Sequence, residues 1–66
     1  MALPYYIEKA FNKTRQTADL LSRKCYELEQ AKNSRDEGRI KRAQEVVTKE
    51  TANLASAAKE LVSAVR

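Results

Sequence analysis

The chain contains no histidine and no tryptophan, and one cysteine, one glycine and one proline among its 66 residues. Each shortage removes a class of function. Nucleophile-plus-base chemistry has no histidine to serve as base, and the single thiol, Cys25, sits between Leu21 and Leu28 on an apolar ladder. Cys25 therefore reads as a small core residue and not as a reactive group. One cysteine closes no intrachain disulfide, and with histidine absent the usual metal-ligand sets cannot be assembled. A phosphate-cradling loop needs several glycines. The carboxylate pairs Glu27/Glu29 and Asp36/Glu37 do not converge on one helical face and read as solvated charge. No catalytic residue, metal ligand or cofactor is expected, and the chain is read as no enzyme.

Long apolar runs are also missing. None approaches the roughly 18 residues a bilayer span requires, and the opening MALPYYIEKAF lacks the basic and long apolar regions of a secretory leader. The unpaired cysteine suits a reducing compartment, so a cytoplasmic location is expected. The sequon Asn12-Lys13-Thr14 would matter only in a secreted protein and is discounted.

What is present is a pair of seven-residue ladders. Ile7, Thr14, Leu21 and Leu28 form the first, with Phe11, Ala18 and Cys25 between them; Ile40, Val47, Leu54 and Leu61 form the second. Spacings of three and four over this length mark the narrow stripe of an amphipathic, coiled-coil-like helix. The step from Leu28 to Ile40 fits neither a heptad multiple nor an eleven-residue repeat, so one continuous seam cannot hold both ladders and the chain must turn between them. The fold class expected is all-α, an antiparallel two-helix hairpin. Pro4 fits a helix N-terminus, which places helix one over about 4–33 with Asn33 as terminator. The turn falls at about 34–37 and helix two at about 37–65, the whole 1–66 forming one domain. Two starts for helix two compete: a capping box from Ser34 to Glu37, or Asp36 as N-cap. The later is preferred, because Gly38 inside a helix would cost about 1 kcal/mol relative to Ala.

With the turn near residue 36, facing residues have numbers summing to about 72. Phe11 then meets Leu61, Ala18 meets Leu54, Cys25 meets Val47 and Leu28 meets Ala43, so that large residues often face small ones. Leu21 faces Glu50 and Thr51. Thr14, Lys32 and Glu50 dilute this seam, and a chain this small buries only about 60% of its unfolded surface. A partner, either a second copy completing a four-helix bundle or another protein, is therefore expected. Apolar side chains off the seam, Tyr6, Ala10, Leu20 and Tyr26 on helix one and Val46, Ala55 and Val62 on helix two, supply a second surface. The small-residue stretch Ala52 to Ala58 would let another helix approach closely.

Two functional expectations follow. The first is a non-enzymatic interaction module, a small adaptor, co-chaperone-like or assembly protein, with Tyr6, Phe11, Leu20, Leu54, Ala55, Ala58 and Val62 as partner-binding residues. Tyr5, Tyr6 and Phe11, near the chain start, either anchor that partner or cover the open end of the hairpin. The alternative is a nucleic-acid or anionic-surface binder. The 13 basic residues exceed the 9 acidic ones, and Lys32, Arg35, Arg39, Lys41 and Arg42 cluster about the turn, where they could neutralise phosphates. In size and two-helix layout the chain looks like the small hairpin co-chaperones of type III secretion needle subunits, and spectrin-like coiled-coil fragments share that outline; the likeness is one of shape.

Overall fold

A computed structural model describes residues 3–66. Met1 and Ala2, part of the single domain expected over 1–66, lie outside the described residues. Two helices, α1 (Tyr5–Ser34) and α2 (Glu37–Val65), pack side by side in a hairpin with no strand among the described residues. Thirty residues at a rise of about 1.5 Å give a helix of about 45 Å, and the hairpin measures 49 × 18 × 11 Å.

The start of α1 follows from proline chemistry. The Pro4 carbonyl accepts the N–H groups of Ile7 at 3.1 Å and Glu8 at 3.0 Å, and the Glu8 carboxylate lies in the first turn, at the positive end of the helix dipole. At the other end α1 runs through Asn33 to Ser34. The residue that leaves the helix is Arg35, in the left-handed region with φ 58° and ψ 18°, its N–H donating to the Lys32 carbonyl. The Ser34 hydroxyl donates to the Ala31 carbonyl at 2.6 Å. Asp36 then caps α2, its Oδ1 accepting the Arg39 N–H at 3.2 Å. A two-residue connection suffices. Gly38, as the preferred Asp36 cap requires, belongs to the first turn of α2 and has no positive φ. The strained backbone position is carried by an arginine.

Burial shows which residues make the seam. On α1 it recurs at Ile7, Ala10, Thr14, Thr17, Leu21, Lys24, Leu28 and Ala31, and on α2 at Ile40, Ala43, Val47, Glu50, Leu54, Ala57, Leu61 and Ala64, with Ala18, Leu20 and Ala58 half-buried along its borders. The Thr14 hydroxyl lies 2.9 Å from the Ala10 carbonyl on its own helix and 3.1 Å from the Ala57 carbonyl on the other. So short a side chain reaches a facing main chain only where two backbones come close, and Ala57, 2% exposed, makes that approach possible.

That bond also sets the register: facing numbers sum to 71. Ile7 lies opposite Ala64, Ala10 opposite Leu61, Thr17 opposite Leu54, Leu28 opposite Ala43 and Ala31 opposite Ile40, each layer matching a large side chain with a small one. The middle is polar. There Leu21 lies opposite Glu50 and Lys24 opposite Val47, and both charged groups reach outward: the Lys24 ammonium to Glu27 at 3.0 Å, the Glu50 carboxylate to Asn53 at 3.4 Å. Their aliphatic stems remain in the seam while the charges stay hydrated.

This arrangement corrects the expected pairing in one respect. Both main ladders line the seam, but on α1 their companions are Ala10, Thr17, Lys24 and Ala31, one residue before Phe11, Ala18, Cys25 and Lys32. Phe11 is 47% exposed and Cys25 is exposed. Size accounts for the rotation at the open end, though not at mid-seam, where Lys24 stands opposite Val47 in place of the smaller Cys25. A phenyl ring opposite Leu61 would put two bulky groups in one layer and hold the helices apart, whereas Ala10 opposite Leu61 keeps the backbones close.

Candidate functional site

A two-helix hairpin offers two broad faces, two narrow edges and a tip. The first broad face is built by Tyr6, Lys13, Leu20 and Glu27 of α1 beside Arg39, Val46, Asn53 and Glu60 of α2. Open grooves along the seam join them: Tyr6, Ala10 and Lys13 share one with Glu60 and Ala64, Thr17 and Leu20 share another with Asn53 and Ser56, and Lys24, Glu27 and Ala31 share a third with Arg39, Arg42 and Val46. The Lys13 ammonium meets the Glu60 carboxylate at 3.0 Å across the helices. Charge of both signs covers this face.

On the second broad face, helical periodicity aligns Phe11, Ala18 and Cys25 of α1 with Gln44, Thr51, Ala58 and Val65 of α2. None is charged. Thr51 donates its hydroxyl to the Val47 carbonyl at 2.8 Å, so its one polar group is tied to its own helix. Ala55 and Val62 border this face on α2, Val62 being 49% exposed and Val65 58%.

The structure sorts the expected partner-binding residues between these regions. Phe11, Ala58, Ala55 and Val62 fall on or beside the uncharged face. Tyr6, 61% exposed, and half-buried Leu20 fall on the charged one. Leu54 is half-buried in the seam, where α1 already covers much of it. Ala18, Cys25, Thr51 and Val65 were not among the expected contacts, although the seven-residue repeat of Phe11, Ala18 and Cys25 was visible and had been assigned to the seam.

The basic residues of the tip do not form one patch. Arg39 and Arg42 line the groove with Lys24, facing Glu27; Arg35 occupies the turn; Lys32 continues the Phe11 ladder on the other face, with Lys41 beside it. Among the described residues none of the five forms an ion pair. Nor do three His, Cys, Asp or Glu side chains among the described residues converge to hold a metal ion, and no helix there is long and apolar enough to cross a membrane. Comparison with family models, with curated proteins and with solved structures finds no match in any of the three.

Proposed function

We propose that the chain is a non-enzymatic interaction module that works by laying a helical face against a partner protein. The observation that carries this reading is the shortfall of its core. Among the described residues only Ala31 and Ala57 are fully buried, and the seam's middle layers contain Lys24 and Glu50. Meanwhile Phe11, Tyr6, Tyr26, Val62 and Val65 stay exposed. Burial contributes roughly 25 cal/mol per Å², so a hairpin with so little of it gains more from covering a face than a globular domain would.

Circular dichroism across a dilution series, with and without a binding partner, tests the reading. Helicity and melting temperature are expected to fall on dilution from about 100 µM to about 1 µM, or to rise when a partner is added, because whatever binds only the folded state stabilises it by mass action. A chain that is fully helical and melts cooperatively as an isolated monomer, at a temperature independent of concentration, overturns it.

A second reading rests on Arg39 and Arg42, which share a groove with Lys24: an anionic polymer or surface held at the tip. Its signature is steep salt dependence. A DNA or RNA duplex that fails to bind at low salt, or binds equally well after Arg39→Ala and Arg42→Ala, eliminates it.

A further inference from the structure

We infer that the partner of the uncharged broad face is a second copy of this chain, stacked face to face about a two-fold axis to make a four-helix bundle. The inference rests on the interaction-module reading and names its occupant and its surface. Three observations lead to it.

The first is area. A compact monomer of 7.5 kDa exposes about 4,200 Å² by the usual mass scaling, whereas this chain exposes 5393 Å². The excess is about 1,200 Å², and a standard interface removes about 800 Å² from each partner. The broad face of a body measuring 49 × 18 × 11 Å is of that size, while the narrow edges are not. A second hairpin laid on one broad face brings the chain back to the surface expected of a compact protein.

The second is charge. In a two-fold interface the same patch meets itself, so its charges are brought near their own copies. The chain carries a net +4, which opposes self-association wherever charge is exposed. From Phe11 to Cys25 on α1 and from Gln44 to Val65 on α2, the central stripe of this face carries none; its charges are Lys32 and Lys41 toward the tip and Glu8, Arg15 and Glu29 along the outer border of α1. The opposite face presents Lys13, Glu27, Arg39 and Glu60, and satisfies two of them with its own ion pair.

The third is pattern. Phe11, Ala18 and Cys25 repeat at the heptad interval along the border of the seam, Phe11 and Cys25 exposed and Ala18 half-buried, and the facing Thr51 and Ala58 are small. A seven-residue repeat of apolar and small residues is the spacing at which one helix seats another. The hairpin itself uses only the neighbouring stripe.

Sedimentation velocity and light scattering on the full chain, over about 1–300 µM, test the inference. The expected species at high concentration has twice the 7.5 kDa mass of the chain. Thr51→Lys, at an exposed position outside the seam, is expected to raise the dimer dissociation constant at least tenfold, and Val46→Lys on the opposite face to leave it unchanged. Cys25 supplies a measurement on the unaltered protein. It is exposed in a single hairpin and covered in the dimer, so maleimide alkylation should slow at least fivefold between concentrations well below and well above the dissociation constant. A dimer broken by Val46→Lys and not by Thr51→Lys, or an alkylation rate independent of concentration, overturns the inference. Mass that stays monomeric, with weak helicity and no cooperative melt, overturns the second copy and leaves the interaction-module reading standing. A monomer that is fully helical and cooperative overturns both.

Discussion

On one broad face of the hairpin Lys13, Glu27, Arg39 and Glu60 surround Tyr6, Leu20 and Val46; on the other, Phe11, Ala18 and Cys25 run beside Thr51, Ala58 and Val65 with no charge among them. Both faces flank the same seam and are made by the same two helices. The charged one answers its own electrostatics, with Lys13 bridged to Glu60 at 3.0 Å, and presents water with groups that water solvates well. The uncharged one has no such internal answer. The difference shows that the rotation of α1 about its axis, by one residue position, decides which stripe becomes core and which becomes surface.

The change with the largest expected effect removes the seam on which both faces depend. Ala57 is 2% exposed, and its carbonyl accepts the Thr14 hydroxyl where the helices come closest. Ala57→Leu forces a branched side chain into that gap, and overpacking of this kind costs typically 1–3 kcal/mol. In a hairpin with so small a core the cooperative melt followed by circular dichroism should be lost. Ala55→Leu, at an exposed position on the same helix, should leave it intact. Equal effects from the two changes would mean that the close approach at Ala57 does not hold the helices together.

Thr14→Val sharpens the same point with a smaller change. It keeps the shape and removes the hydroxyl shared between Ala10 and Ala57. A net intramolecular hydrogen bond is worth about 1 kcal/mol, so the melting midpoint should fall without loss of cooperativity. Should Thr14→Val stabilise the hairpin, the inter-helix bond would be a consequence of the packing and not a support for it.

How far this was legible in the sequence depends on what each signal measures. The hairpin was readable because the phase break between Leu28 and Ile40 is a property of spacing alone. The rotation of α1 was not, because a hydrophobic ranking favours Phe11 and Cys25 over Ala10 and Ala31, whereas the helices match large with small side chains at the two ends of the seam and place the stems of Lys24 and Glu50 in its middle. The companion ladder was there to be found as small residues at Ala10, Thr17 and Ala31, opposite large ones at Leu61, Leu54 and Ile40. For the same reason the expected contacts mixed residues from both broad faces with Leu54 from the seam. At the turn, Asn33 was read as the terminator of helix one, although the left-handed residue is Arg35; nothing in an arginine side chain announces that role.

That turn provides a way to examine the faces without unfolding the protein. A non-glycine residue in the left-handed region costs roughly 1 kcal/mol, so Arg35→Gly should stabilise the hairpin by up to about that amount. Gly38→Ala should add about 0.5–1 kcal/mol, since glycine is the poorer helix former. A Cβ at Gly38 would meet Asp36 Oδ1 at 3.5 Å and Arg42 Nη1 at 3.8 Å, ordinary contact distances. Chemical denaturation of each variant reads the gain. The doubly substituted chain should keep the helical hairpin and leave both broad faces unaltered, so that any change in association caused by Thr51→Lys can be separated from a change in folding.

The smallest expected effect lies on the charged face. Lys13 and Glu60 form the only ion pair between the helices among the described residues, with side chains 59% and 54% exposed. Exposed pairs contribute about 0.2–1 kcal/mol, and salt screens them. A double-mutant cycle of Lys13→Ala and Glu60→Ala, read by thermal melting at low and high ionic strength, should give a coupling near the lower end of that range at low salt and close to nothing in about 1 M salt. The two single substitutions should leave the dimer dissociation constant unchanged, because they lie on the face that the second copy does not cover. A coupling well above 1 kcal/mol, or a dissociation constant that moves with either substitution, would show that the charged face is itself an interface and would reverse the assignment of the two sides.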